Sequence, residues 1–272
     1  MERIKHAIEK ARQQVPTQPV PEPVTNTERS ASRQPAEIGD IQYSQTRVIQ
    51  LDQDHLERHR IVAFNKSNPL SVSFDMLRTQ VLSKMNENGW RTLAIVSPTP
   101  ECGKTVVAIN LAMSIAHQSS NTAMLVDFDL RRPKVGKTLG IPNGKSLNDV
   151  LADGAALEEA LVNPGLPNLV VLPTARPVPK SAEMLSSRNV ADLIADIRDR
   201  YQERIVLFDL PPLLDTDDAI TILPKFDCAL MIVGNGMVSK AELDESLRHL
   251  HSTNLLGVVL NKAEVPLSNY YY

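Results

Sequence analysis

Six short segments of almost uninterrupted apolar residues alternate with amphipathic stretches in the last two thirds of this chain. A strand without a polar face must be covered on both sides, which is typical of a parallel sheet between two layers of helices. We therefore predict an α/β fold with a mostly parallel sheet flanked by helices on both faces. The predicted strands are residues 92–97, 123–129, 168–173, 204–210, 228–234 and 256–261.

Amphipathic periodicity between these segments predicts the helices. In an open parallel sheet, ligands bind beyond the carboxyl ends of the strands. We therefore expect the functional residues at that edge. The predicted helices are residues 73–85, 104–118, 146–151, 157–162, 188–200, 218–223 and 240–251.

The N-terminal region has a different composition. Residues 13–47 are rich in Pro, Gln, Ser, Thr and Glu, and they have too few aliphatic side chains to offset the entropy of ordering, which predicts a disordered linker. Before the linker, a short amphipathic helix either docks on a partner or frays; its apolar face would carry Ile4, Ala7, Ile8 and Ala11. We divide the chain into an N-terminal segment (residues 1–60), a globular domain (61–265) and a tail (266–272).

Charge and cysteine content narrow the class of function. The net charge of −3 with interspersed signs gives no basic surface for nucleic acid. Cys102 and Cys228 have no metal-ligand spacing, and no secretory leader opens the chain, so we expect a reducing cytosol. The longest apolar runs are far shorter than the roughly 18 residues that cross a bilayer. Any membrane role would then require a partner.

The segment "SPTPECGKT" has the context of a phosphate-binding loop. It follows the first predicted strand, and Gly103, Lys104 and Thr105 open the next helix. In such a loop, backbone N–H groups and the lysine hold phosphates while the threonine hydroxyl binds Mg²⁺. Pro98 stands where the usual G-x-x-x-x-G-K-[ST] pattern begins with glycine, so this loop is a deviant form.

Three carboxylates end two other predicted strands. Strand alternation places Asp127 and Asp129 on the same side, and paired carboxylates suit metal binding and proton acceptance. The alternative is that Asp129 caps a turn and Asp127 is only solvated. Asp209 precedes Pro211 and Pro212; it either initiates a loop or is the Mg²⁺–water ligand of a Walker B element.

These motifs resemble those of the bacterial tyrosine autokinases of exopolysaccharide and capsule systems, which have a ParA/MinD-like P-loop fold. The resemblance covers about residues 74–272 and rests on "SPTPECGKT", "MLVDFDLRRP", "LPTARPVPKSAEMLSS", "DLPPLLDTDDA" and "GVVLNK". It also includes the ending "NYYY". Tyr270, Tyr271 and Tyr272 are three of only five tyrosines in the chain, so their grouping at the end supports the resemblance. Such kinases phosphorylate a terminal tyrosine cluster on neighbouring copies. The alternative is a docking tail of exposed aromatic rings.

The resemblance also implies roles for individual residues. Lys104 would hold the β- and γ-phosphates of ATP, and Asp127 would accept the tyrosine hydroxyl proton. Asp129 and Asp209 would hold Mg²⁺ together with Thr105. The implied nucleotide-binding residues are Thr99, Pro100, Glu101, Cys102, Gly103, Lys104, Thr105, Val106 and, beside adenine, Asn261.

Partners follow from the same resemblance. These kinases are stimulated by a membrane polysaccharide co-polymerase, which this chain would meet in trans. They form rings through a Glu-x-x-Arg-x-x-Arg pattern. The corresponding positions here are Val72, Asp75 and Arg78, so only the last arginine is retained. A homo-oligomer is still an option, but its ring assembly would differ or be absent. We expect a cytoplasmic protein held at the inner membrane through its partner.

Two positions in the loop depart from related patterns. Thr99 stands where ATPases that move plasmids or place division sites have a signature lysine, which favours the kinase branch. Glu101 stands where the kinases usually have glycine; a positive φ there would cost about 1 kcal/mol, and its charge would repel phosphate.

We therefore predict an ATP- and Mg²⁺-dependent protein-tyrosine autokinase that regulates exopolysaccharide synthesis or export. The alternatives are a ParA/MinD-type ATPase switch and a scaffold with weakened nucleotide binding.

Overall fold

The computed structural model describes residues 46–118, 121–200 and 203–263. The predicted amphipathic segment at the N-terminus, nearly all of the predicted linker and the tyrosines Tyr270, Tyr271 and Tyr272 lie outside these residues. The predictions for those segments stay predictions.

One sheet runs through the described residues. Its strands are β1 (Arg47–Val48), β2 (Thr92–Val96), β3 (Thr122–Asp127), β4 (Val162–Asn163), β5 (Leu169–Leu172), β6 (Arg204–Asp209), β7 (Cys228–Gly234) and β8 (Asn254–Asn261). Their order in the sheet is β1-β4-β5-β3-β6-β2-β7-β8, and every neighbouring pair is parallel except β4 and β5.

Helices connect the strands and cover the sheet. Short 3₁₀ turns, Leu223–Lys225 and Leu250–Ser252, follow two of these helices. The α-helices are α1 (Gln53–Arg58), α2 (Ser71–Asn88), α3 (Lys104–Ala116), α4 (Val135–Leu139), α5 (Leu147–Asp153), α6 (Leu157–Ala160), α7 (Ser181–Leu185), α8 (Arg188–Arg200), α9 (Asp218–Ile222) and α10 (Lys240–His249).

The apolar core lies on both faces of the sheet. On one face, Ile95 and Leu207 belong to a buried cluster with residues of α2 and α3, such as Leu111. On the other face, Phe208 belongs to a second cluster with residues of α8 and α9, such as Ile194. The continuous hydrophobicity of the strands is explained by this double coverage, and the predicted α/β fold is confirmed.

Several predicted boundaries were wrong. The strand predicted at 123–129 ends at Asp127. The helix predicted at 157–162 ends at Ala160, and its last residue begins β4. The globular part begins before residue 61, since β1 and α1 lie within the stretch assigned to the N-terminal segment. Two-residue strands and helices of five or six residues are too short to show a periodicity.

Candidate functional site

The carboxyl ends of β2, β3 and β6 bring the predicted motifs together. β6 lies between the other two strands, and Asp209 is in register with Asp127 on one side and Ile95 on the other. The loop that follows β2 leads directly into α3. The loop and the acidic residues therefore border one crevice, as expected for the carboxyl edge of a parallel sheet.

The loop of residues 97–103 is held by its own atoms and by the end of β8. The side-chain amide of Asn261 donates to the carbonyl oxygen of Cys102 at 2.8 Å, and the Ser97 hydroxyl donates to the carbonyl oxygen of Thr99 at 2.9 Å. Gly103 has φ +89°, and a Cβ there would lie 2.3 Å from Nδ2 of Asn261. Both the backbone angle and this close approach therefore require glycine.

Glu101 adopts the left-handed backbone conformation that its position in the loop suggested, with φ 63°. The residue is exposed and lines the cleft described next. The conformational cost expected for a side chain at this position is thus present, and its carboxylate has access to water.

A cleft of about 810 Å³ opens above the loop, a volume suited to a nucleotide. Among the predicted nucleotide-binding residues, Thr99, Cys102 and Asn261 are not part of its lining. They support the loop instead: the Thr99 hydroxyl oxygen lies 3.5 Å from Sγ of the buried Cys102. The predicted residues that do line the cleft are Pro100, Glu101, Gly103, Lys104, Thr105, Val106 and Asp129.

Lys104 joins the loop to the acidic strand ends. Its ammonium nitrogen lies 3.2 Å from Oδ2 of Asp129 and 3.3 Å from Oδ1 of Asp209. The Thr105 hydroxyl donates to the second oxygen of Asp209 at 2.6 Å. These four side chains are all buried, so the three motifs form one connected polar cluster.

Asp127 lies beneath this cluster and has a different set of partners. Its Oδ2 accepts from the backbone N–H groups of Lys134 (3.0 Å) and Val135 (2.9 Å), where α4 begins. The backbone N–H of Asp129 approaches its other oxygen at 3.3 Å. Because β3 ends at Asp127, the loop after the strand, and not strand alternation, positions Asp129. The prediction of two carboxylates paired by alternation was wrong in this respect.

Burial and neighbouring charges shift the proton affinities of the cluster. Burial raises the pKa of Asp127 well above its usual range, and the charge of Asp209 adds to the shift. Burial also raises the pKa of Asp209, although Lys104 and Thr105 oppose it. Burial alone would lower the pKa of Lys104, but the attraction of Asp209, Asp129 and Asp127 outweighs it, so the pKa is raised. Shifts of this kind are concentrated at functional sites.

Several residues around the cleft were not predicted from the sequence. Arg131 donates to the buried carboxylate of Asp218 at 3.1 Å and to the hydroxyl of Ser181 at 3.0 Å, which ties the loop after β3 to α7 and α9. Arg132 forms an ion pair with Asp215. These residues lie within the quoted motifs, but their pairing across 50 to 87 residues has no local signature. Further lining residues, not predicted, are Arg60, Arg132, Lys134, Thr138, Pro212, Lys262 and Ala263.

The oxygen atoms of the cluster fit a hard divalent cation. Within the described ranges, no three His, Cys, Asp or Glu side chains are grouped as a metal site. Mg²⁺, however, is usually held by one or two carboxylates and completes its shell with water and phosphate oxygens. Thr105, Asp129 and Asp209 supply such a donor set beside the cleft, with the Thr105 hydroxyl and Asp209 already in contact.

Comparisons with known proteins identify relatives of this chain. No family model matches the chain. It is 29% identical over 186 residues to tyrosine-protein kinase CpsD of Streptococcus pneumoniae serotype 4, covering 66% of this chain and 79% of CpsD. It is 26% identical over 217 residues to tyrosine-protein kinase YwqD of Bacillus subtilis, covering 79% and 90%. It is 28% identical over 199 residues to tyrosine-protein kinase wzc of Salmonella typhimurium, but it spans only 27% of that longer protein.

Solved structures show the same fold. The kinase domain of Escherichia coli tyrosine kinase ETK is 26% identical, with a TM-score of 0.64 and coverage of 74% of this chain and 80% of that one. The septum site-determining protein MinD of Pyrococcus horikoshii, solved with Mg-ADP, has a TM-score of 0.53 at 24% identity, with coverage of 65% and 74%. All three sequence relatives are tyrosine-protein kinases and a kinase domain shares the fold, so the chain is similar in sequence and in fold to bacterial tyrosine-protein kinases.

Proposed function

We propose that the chain is an ATP- and Mg²⁺-dependent protein-tyrosine autokinase that phosphorylates Tyr270, Tyr271 and Tyr272. The observation that carries this proposal is the contact of Lys104 and Thr105, from the phosphate-binding loop, with the carboxylates that end β6 and follow β3. A kinase of this type accelerates transfer mainly by positioning and by neutralising charge. The buried cluster supplies both.

The cleft residues divide this work among them. Lys104 exchanges its carboxylate partners for phosphate oxygens of ATP when the nucleotide enters. Thr105, Asp129 and Asp209 would hold Mg²⁺, which when bound neutralises developing charge on the phosphates. The N–H groups at the start of α3 face the same phosphates.

Asp127 is our proposed proton acceptor. As the tyrosine oxygen bonds to the γ-phosphorus and the bond to the ADP oxygen breaks, the hydroxyl proton passes to the carboxylate. Its raised pKa favours that transfer.

Asp129, however, lines the cleft while Asp127 is fully buried, so Asp127→Asn and Asp129→Asn must be compared. Loss of transfer with retained MgATP affinity in Asp127→Asn alone supports Asp127; the same result in Asp129→Asn alone moves the role to Asp129.

The last described residue, Ala263, is one of the residues that line the cleft. We propose transfer between copies, so that one chain phosphorylates the tail of another. Arg78 gives this self-association no support, since its guanidinium donates to Asp75 (2.6 Å) and Ser114 (3.1 Å) within its own chain.

Regulation of exopolysaccharide synthesis or export is part of the proposal. It is supported by the similarity of the chain to bacterial tyrosine-protein kinases. No described helix is long and apolar enough to cross a bilayer. We propose a cytoplasmic kinase that reaches the inner membrane through a polysaccharide co-polymerase in trans.

Incubation of the full-length protein with γ-labelled ATP and Mg²⁺, followed by mass spectrometry of the C-terminal peptide, tests the activity. We expect phosphotyrosine in the tail, with none in Lys104→Met or in the variant with all three tail tyrosines changed to Phe. Mixing these two variants tests transfer between copies, because only the Phe variant has an intact site and only the Met variant has acceptor tyrosines. Label on the Met variant is the expected result.

The same assay separates the rival functions. Release of inorganic phosphate without tail phosphotyrosine would indicate a MinD-like ATPase switch, which the fold similarity to MinD makes the main competitor. If the wild-type chain neither binds nor turns over MgATP, the chain is a scaffold and the kinase proposal fails.

A further inference from the structure

Backbone strain is concentrated around the cleft. Among the described residues, three non-glycine residues have positive φ: Arg60 (60°), Glu101 (63°) and Lys262 (59°). All three line this cleft. A left-handed conformation costs a side-chain-bearing residue about 1 kcal/mol or more, and such strain is retained mainly where function requires it. Glu101 lies in the phosphate-binding loop and Lys262 directly follows β8, but Arg60 comes from a segment with no assigned role.

Asn110 fixes the backbone around Arg60. This fully buried residue of α3 donates from Nδ2 to the carbonyl oxygen of Arg60 at 3.0 Å. Its Oδ1 accepts from the N–H groups of Val62 (2.8 Å) and Ala63 (2.9 Å). The helix that begins with Lys104 and Thr105 therefore also holds the segment that carries Arg60.

The side chain of Arg60 has no ion pair or hydrogen bond within the described part of the chain. Arg132, which lines the same cleft, differs in this respect because it is paired with Asp215, and the adjacent Arg131 is paired with Asp218. Arg60 is exposed and borders the same cleft as Gly103 and Lys104. A strained, anchored cation that faces a phosphate-binding loop without a protein partner is available for an anionic ligand.

We propose that Arg60 binds the polyphosphate of the nucleotide, and this inference rests on the proposed nucleotide site. A guanidinium presents a planar fork that matches phosphate oxygens in a bidentate arrangement. The added positive charge would also offset the carboxylate of Glu101, which borders the same space. Arg60, which lies in the stretch assigned to the N-terminal segment, is then part of the nucleotide site.

Arg60→Gly in the full-length chain tests this inference. Glycine relieves the left-handed strain, so thermal stability should be unchanged or higher, whereas affinity for a non-hydrolysable ATP analogue with Mg²⁺ should fall about tenfold, the usual loss for a charge-assisted hydrogen bond. Arg60→Lys keeps the charge but loses the planar fork, so its affinity for the analogue should lie between those of wild type and Arg60→Gly. Arg58→Ala is the matched control, because Arg58 is an exposed cation two residues away that does not line the cleft.

Isothermal titration calorimetry at one fixed salt concentration gives the affinities. Weakened binding in Arg60→Gly, with Arg58→Ala within twofold of wild type, supports the assignment. Equal affinity of wild type and Arg60→Gly overturns it while leaving the kinase proposal intact. An equal loss in Arg58→Ala also overturns it, since the effect would then be one of overall charge. A wild-type chain that does not bind the analogue removes both proposals.

Discussion

The ammonium nitrogen of Lys104 lies 3.3 Å from Oδ1 of Asp209, so the phosphate-binding loop and the end of β6 are joined across the crevice. Asp209 has no exposed surface and also accepts from Thr105. Pairing of these buried charges offsets the free-energy cost of their desolvation, and removing one partner leaves the buried charge of the other without compensation. Nucleotide binding must therefore exchange these contacts for equivalent ones with phosphate and metal.

Lys104→Met should abolish tail phosphorylation and also destabilise the protein measured without added nucleotide, by about 3 kcal/mol at pH 7. The reason is that Asp129 and Asp209 lose their shared cation. Denaturant unfolding of both proteins gives the free-energy difference. Lys240→Met, which removes an exposed lysine at the start of α10, should change stability little. Equal stability of Lys104→Met and wild type would contradict the pairing.

The stabilisation by Lys104 should depend on pH in a defined direction. Its pKa is raised in the folded protein, so its contribution is fully present below the unfolded pKa of about 10.4 and is lost as the pH rises through the folded pKa. The stability difference between wild type and Lys104→Met should thus be constant from pH 7 to 9 and shrink above pH 10.4. A difference that grows in that range would contradict the prediction.

Asp127→Asn should stabilise the protein at pH 7 to 8 by about 1 kcal/mol, the scale typical of substitutions that relieve a functional site. Burial raises the pKa of this carboxyl, so its ionisation costs stability as the pH rises through the folded pKa. An asparagine oxygen can still accept from Lys134 and Val135. The advantage should vanish below about pH 4, where the carboxyl is protonated in both states. Thermal unfolding across pH measures it; a variant less stable than wild type at pH 8 would refute it.

The strand ends explain why much of the site could be predicted. Long apolar runs specify β6 and β7 almost to the residue, and parallel strands must present Asp127 and Asp209 at one edge. The contacts of each acid could not be predicted: Asp127 faces the backbone of α4, whereas Asp209 faces Lys104. Those choices depend on the loop after β3, which has no periodicity. Arg60 was missed for a related reason, because Asn110 positions it from 50 residues away.

Glu101→Gly should raise both stability and nucleotide affinity. Removing a side chain at φ 63° should stabilise by about 1 kcal/mol, which corresponds to roughly 2–4 °C in the midpoint of thermal unfolding. Glu101→Gln separates the two causes, since it removes the charge and keeps the strained backbone. We expect Gln to recover the gain in affinity for MgATP without the gain in stability. If neither variant binds MgATP more tightly than wild type, the carboxylate does not weaken the site.

Gly103→Ala should destabilise more than Gly236→Ala, although both glycines have positive φ. A Cβ at Gly236 meets no atom within 4 Å, whereas one at Gly103 would lie 2.3 Å from Nδ2 of Asn261. Alanine at 236 therefore bears only the backbone cost of about 1 kcal/mol. Alanine at 103 must also displace the amide that donates to Cys102, which adds about 1 kcal/mol for the lost hydrogen bond.

In an Asn261→Ala background this additional cost should disappear, leaving Gly103→Ala no more destabilising than Gly236→Ala. Thermal unfolding of the four proteins of this double-mutant cycle measures the coupling, and a coupling of zero would show that Asn261 does not hold the loop.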